Sequence, residues 1–449
     1  MKRACLVLLL SVAWWIPGDA TLAADIAVEL PPGLQVPEAA KPGPDFSVEQ
    51  ATQAYLDLLT PEQRARSDAY FEGGYWIGLW EFLYGLAVLF AILSLGWSVR
   101  LRAWAERRTE SRGLQVLFFA LLYTPLVWLM SLPLAWYTGF VREHHYGLSN
   151  QAFGGWLWDD VKGMLLFTML AAIAIVGIYT FVRRAGGRWW LRATGFTFLL
   201  MLFVFMIHPV YVAPVFNKYQ SLEDGPVRSA VLSLARANEV PADNVRWFDA
   251  SKQTKRISAN VSGLFGTTRV SLNDNLLNGT SLPEIKAVMG HEMGHYVLNH
   301  SVHHVLYYTL LFGLGFLLLE GVLQRALTRW GPRWGIRERA DPAGLPLALA
   351  ILSVYFFVTG PITNRYVYVA ESEADLYGLN AAREPYGFAT VAMRIGAYRK
   401  LDPRPLEELF LYDHPSGKQR VEMSMRWLAE NQALVSEQAA NGGAGTGSR

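Results

Sequence analysis

Two histidines four residues apart with a glutamate beside the first, His291-Glu292-Met293-Gly294-His295, are the residues of this chain best placed to do chemistry. On a helix, positions four apart project from one face about a turn from each other. Both imidazoles therefore reach one tetrahedral Zn²⁺. Glu292 points elsewhere around the helix, toward the metal's open position, where a carboxylate takes a proton from an activated water and later passes it to a leaving amine. The helix has a start signal: Ser281 and Glu284 have capping-box spacing, and Pro283 is tolerated in a first turn.

A catalytic zinc usually takes three protein ligands. The histidine six residues beyond the second, found in one class of zinc protease, is absent because position 301 is Ser. His300, His303 and His304 lie where the chain enters an apolar segment, and they read as interfacial residues or as supports for the ligands. Glu371-Ser372-Glu373-Ala374-Asp375 is the better source. Glu371 and Asp375 share a helix face, one suited to the metal and the other to accepting a histidine N–H. Glu373 faces the other way.

The elements that must position these groups are set by an apolar excess. The 449 residues are 52% hydrophobic and only 17% charged, against about a quarter charged in ordinary soluble proteins. That composition excludes a disordered chain, a collagen and a disulfide scaffold. The single cysteine, Cys5, rules out an intramolecular disulfide and makes no cysteine metal site. With 40 basic and 38 acidic residues, the net charge of +2 gives no argument for nucleic acid. No obligate protein partner is indicated.

Crossing the hydrocarbon core takes ~20 apolar helical residues. Six internal segments qualify, near 76–97, 115–137, 163–182, 190–213, 303–324 and 343–362. Residues 4–17, which follow Lys2 and Arg3 and precede Thr21-Leu22-Ala23-Ala24, fit either a signal peptide or an uncleaved first span. Glu81 and Glu320, inside apolar segments, face either a polar interior or the membrane interface.

Arginines cluster in alternate loops: five in 98–114, four in 183–192 and five in 325–342. The positive-inside rule puts those three loops in the cytoplasm. Segments 25–74, 138–162, 214–302 and the tail from 363 then lie outside, periplasmic in a bacterial inner membrane. The soluble stretch reads as a helix over 226–238 and short strands over 245–250, 257–264 and 267–272.

The fold class is therefore mainly α, a multi-pass helical membrane protein with a small α+β zinc-protease domain. The chain divides into 1–24 (signal peptide or first span), 25–74 (linker), 75–213 (four spans), 214–302 (protease domain with the zinc helix), 303–362 (two spans), 363–437 (second part of the protease domain) and 438–449 (flexible tail).

Several motifs in order give a more specific likeness. They are His208-Pro209 through Asn217-Lys218, Ser258-Ala259-Asn260, Asn273-Asp274-Asn275-Leu276-Leu277, His291 to His295 with His300, Pro361-Ile362-Thr363-Asn364, Glu371 to Asp375, and His414-Pro415 with Arg420. From about His208 to Arg420 the chain resembles the type I CAAX prenyl protease family of integral-membrane zinc endopeptidases, sister to the HtpX-like proteases. The resemblance implies one Zn²⁺ held by His291, His295 and Glu371, Glu292 as general base, and a helical chamber around the site. It further implies Asp375 as a catalytic or orienting acid, His414 as a donor near the developing oxyanion, Arg420 as a support for the ligands, and a peptide bound by strand addition beside Asn260. One departure touches the substrate: Val367-Tyr368 stands where the family often has Ser-Arg.

The expected activity is hydrolysis of peptide bonds in lipidated, membrane-associated or misfolded polypeptides. The alternatives are an intramembrane-cleaving zinc protease and a transporter or structural membrane protein with a vestigial metal site. Eukaryotic members of the family act on the cytosolic side, so the resemblance and the arginine loops point to opposite orientations. The loops are followed for topology.

Overall fold

A computed structural model describes residues 30, 33–263, 268–396 and 398–435. The signal-peptide or first-span segment and the C-terminal tail lie outside the described residues. Among the described residues, six helices are long and apolar enough to cross a membrane, in the places expected. They are built on α2 (Pro61–Ser94), α4 (Arg112–Trp136), α5 (Phe153–Arg184), α6 (Trp189–Ile207), α9 (His300–Trp330) and α10 (Leu345–Ala382). Two of them continue through π-turns at Tyr137–Val141 and His208–Val212. Pro125 and Pro133 sit inside α4 and Pro361 inside α10 without ending either helix. Neighbouring helices make such prolines tolerable in a membrane.

The arginine-rich loops meet at one end of the bundle. The short helix α3 (Trp97–Glu106) supplies Arg102, which pairs with buried Asp341 and donates 3.0 Å to the Gly335 carbonyl. Arg337 reaches Glu106 at 2.6 Å, and Arg339 bonds both Glu320, at 2.6 Å, and the Gly186 carbonyl. Glu320 is thereby an end-of-bundle residue, paired in the loop layer.

The opposite end carries the soluble domain. A four-stranded sheet has the order β1 (Tyr219–Ser221), β2 (Val245–Phe248), β4 (Arg269–Asn273), β3 (Ala259–Ser262), with β2 and β4 parallel and the outer pairs antiparallel. Helix α7 (Pro226–Ala237) and helix α8 (Leu282–Val297) pack beside it. α8 opens with the expected capping box, Ser281 and Glu284 each satisfying the other. Glu284 is also fully buried and bonds Arg394 at 2.5 Å, which ties the start of α8 to α11 (Pro385–Ile395). Arg256 joins this domain to the helical turn Arg142–His145, which continues α4, through Glu143, at 2.7 Å.

Within 25–74, the described residues differ from the expected linker. Helix α1 (Val48–Leu56) and residues Leu30, Ala40, Tyr55 and Leu59 belong to the soluble domain's hydrophobic core, and α2 already begins at Pro61. α1 packs on α13 (Gly417–Glu430), which follows α12 (Pro405–Leu411) near the other end of the chain. Proline-rich composition conceals such an arrangement, because its apolar residues are buried by long-range partners.

Candidate metal centre

α8 and α10 approach closely because small residues line their contact. A Cβ on Gly290 would stand 2.9 Å from the Gly378 carbonyl oxygen, one on Gly294 3.1 Å from Ala374 Cα, and one on Gly378 2.6 Å from the His291 backbone nitrogen. Gly290 and Gly294 are four apart on α8, as Ala374 and Gly378 are on α10. This pair of stripes lets the acidic turn of α10 lie across the two histidines. The spacing is visible in the sequence, although its meaning needs both helices.

The ring nitrogens His291 Nε2 and His295 Nε2 are 3.1 Å apart. Glu371 places Oε2 3.4 Å from the first and Oε1 3.3 Å from the second. These three residues are buried, and they form the one His/Cys/Asp/Glu group of metal-binding geometry found among the described residues. Their separations fit a metal: ligand atoms ~2.0–2.1 Å from a tetrahedral zinc stand about 3.3 Å apart. The charges fit as well. Glu292, Glu371 and Asp375 are 4% exposed or less, and the buried cation among them is Arg420. A divalent cation held there would offset the excess negative charge.

Each imidazole is held from behind. His291 Nδ1 lies 2.7 Å from Asp375 Oδ1, and the other oxygen of Asp375 accepts from Arg420 Nε at 2.8 Å. Arg420 Nη2 also lies 3.4 Å from Glu371 Oε2. Among the protein's own charges, burial opposes an imidazolium at His291, but hydrogen bonds to Asp375 and Glu371 prevail and hold its pKa up at about 10. His295 is pushed down, chiefly by burial.

His414, in the loop before α13, brings Nε2 to 3.3 Å from Glu371 Oε2, with Nδ1 2.7 Å from Asp413. Nε2 is buried, and among the described residues it makes no hydrogen bond beyond this approach to Glu371. Asn260 lies on the edge strand β3, which packs along α8. The departure at Val367-Tyr368 has a local role: Tyr368 bonds Gln419 and lies under the Arg365 guanidinium, 4.5 Å from the ring centre.

Of the two readings left open for His300, the structure places it as a support beside His295, and Glu373 departs from expectation. His300 Nδ1 stands 2.9 Å from His295 Nδ1, and Glu373, expected to face away, reaches His300 Nε2 at 3.2 Å. Glu373 does leave the face shared by Glu371 and Asp375, but its partner arrives from α9.

A bundle of membrane-length helices in which the short α8 brings two histidines and a neighbouring glutamate, and α10 a carboxylate, to one buried point defines a class, the integral-membrane metalloendopeptidases. Residues 47–218 match the family model described as CAAX prenyl protease N-terminal, five membrane helices, and residues 221–427 match peptidase family M48. The chain belongs to peptidase family M48. An uncharacterized metalloprotease of Bacillus subtilis, YhfN, is 30% identical over 75% of this chain and 79% of its own. CAAX prenyl protease 1 of Saccharomyces cerevisiae is 33% identical over 189 residues, 40% of each chain. The crystal structure of S. mikatae Ste24p shares the fold, with a TM-score of 0.68 and 22% identity over 84% of this chain and 94% of that one.

Proposed function

We propose that His291, His295 and Glu371 hold one Zn²⁺ and that the protein cleaves internal peptide bonds of membrane-associated polypeptides, lipidated or misfolded. The observation that carries this is the triangle of ligand atoms at 3.1, 3.3 and 3.4 Å.

Zinc bound there would supply Lewis acidity, making a water nucleophilic near neutral pH and polarising the scissile carbonyl. Glu292 takes the proton from the attacking water and delivers it to the leaving amine. His414, whose Nε2 lies at the ligand cluster 3.3 Å from Glu371 Oε2, donates to the oxygen on which negative charge develops. Asp375 keeps the proton of His291 on Nδ1, so that the Nε2 lone pair faces the ligand cluster. Arg420 fixes Asp375 and steadies Glu371. The peptide adds to the outer edge of β3 beside Asn260, where unpaired backbone groups hold it extended. The position of α8 outside the six membrane-length helices supports cleavage at the membrane surface rather than within the bilayer.

The arginine loops support placing the catalytic end in the periplasm of a bacterial inner membrane. Reporter fusions within 331–341 and after residue 430 test this: cytoplasmic reporters active only at the first site agree, and the reverse pattern refutes it.

For the function itself, protein purified in detergent without chelator is assayed for metal and for cleavage of a quenched fluorescent peptide. One zinc per chain, with cleavage abolished by chelator and restored by zinc, is expected. Cleavage that persists in chelator, or absence of stoichiometric zinc, contradicts the proposal.

A further inference from the structure

Helix α8 ends at Val297, and Asn299 then adopts a left-handed conformation, φ 55°, before α9 begins at His300. Asparagine tolerates that conformation better than most residues. In an unbroken helix, a residue five positions on would sit well around the cylinder from His295. The break instead folds His300 back, and the two rings meet nearly edge-on, centroids 5.0 Å apart and planes at 70°.

His300 is 2% exposed and makes two contacts through its ring, to His295 Nδ1 and to Glu373. A neutral imidazole has one N–H and one lone pair. If the Nε2 lone pair of His295 faces the ligand cluster, its proton is on Nδ1. That N–H has the His300 Nδ1 lone pair 2.9 Å in front of it. The His300 proton is then on Nε2, 3.2 Å from Glu373 Oε2. One proton assignment satisfies every atom in the row.

We propose that His300 and Glu373 are positioning residues for the metal, forming a relay in which His295 Nδ1–H donates to His300 and His300 Nε2–H donates to Glu373. The relay fixes the tautomer and ring plane of His295, as Asp375 does for His291. It rests on the reading of His295 as a zinc ligand. The two supports differ in setting. Asp375 is sealed and backed by Arg420, whereas the Glu373 side chain is 59% exposed and stands in the wall of an open groove of about 570 Å³ beside Ile362, Val369, Leu409 and Phe410. Among the described residues the ion-pair partner of this carboxylate is His300; Arg365, His303 and Tyr366 line the same groove.

The test is zinc affinity of the full-length protein by competition with a chromophoric chelator, together with the visible spectrum of the cobalt-substituted protein. His300→Ala lowers affinity roughly 10- to 100-fold and alters the cobalt spectrum. His300→Asn recovers most of the loss, because its amide oxygen stands where Nδ1 accepted. Glu373→Ala, at an exposed position, lowers affinity roughly 3- to 10-fold without changing thermal unfolding. The double variant His300→Ala/Glu373→Ala matches His300→Ala alone, since groups acting in series do not add. A Glu373→Ala effect that is absent, or that adds in full to His300→Ala, overturns the relay, as does a wild-type cobalt spectrum in His300→Ala. These outcomes leave the zinc site standing; wild-type protein that binds no stoichiometric zinc overturns both readings.

Discussion

Asp375 Oδ1 lies 2.7 Å from His291 Nδ1, with both side chains buried. A carboxylate in that position sets the imidazole tautomer and raises the basicity of the opposite nitrogen. Asp375→Asn is expected to lower zinc affinity and kcat/KM by roughly 10- to 100-fold, and Asp375→Ala by more. Chelator competition and single-peptide kinetics measure both. Wild-type zinc affinity in Asp375→Ala would show that His291 needs no such partner.

Arg420 is 2% exposed and is shared by Asp375 and Glu371. Removing one partner of a buried ionic cluster leaves the others without compensation, at a cost of about 3–5 kcal/mol. Arg420→Met should therefore lower the unfolding temperature as well as activity, and added zinc should recover part of the stability by binding the folded state. Unfolding in detergent with and without zinc checks this. An unchanged midpoint would contradict the assigned role.

Gly378 determines how near α10 comes to α8. Its Cβ would stand 2.6 Å from the His291 backbone nitrogen and 3.0 Å from the carbonyl carbon of Gly290, neither of which moves without displacing a helix. Gly378→Ala should cost about 1–3 kcal/mol by overpacking and weaken zinc binding, because Glu371 shifts with its helix. Gly360→Ala is the control, since a Cβ there meets nothing within 4 Å. Equal behaviour of the two variants would contradict the close-packing account.

Zinc loading should depend on pH with a definite sign. The pKa of His291, held up at about 10 against the effect of burial, leaves an imidazolium at neutral pH until a metal displaces its proton. Affinity should rise about tenfold per pH unit as pH increases below that value, and the slope should flatten in Asp375→Asn. Chelator-buffered titrations at several pH values measure it, and a flat wild-type profile contradicts it.

The helix carrying His291 and His295 was legible because a four-residue spacing translates directly into one helical face, and its start because Ser281, Pro283 and Glu284 act locally. Glu371 was reached by span parity, which works because the bilayer forces alternation. The contribution of Leu30, Ala40, Tyr55 and Leu59 to the core was not legible: Tyr55 and Leu59 are buried by α13 and its neighbours, hundreds of residues away in sequence. β1 was missed because three residues give no alternation to read. The pairing of Glu373 with His300 depends on the break at Asn299, which turns two adjacent helices into facing surfaces.

The central claim is that Glu292 moves the proton while the two histidines and Glu371 hold the metal. Glu292→Gln keeps size and hydrogen-bonding capacity but removes the base. Measured on one preparation, it should retain one zinc per chain and lose peptide cleavage by roughly 10²- to 10⁴-fold. Cleavage at the wild-type rate with zinc bound would contradict the account.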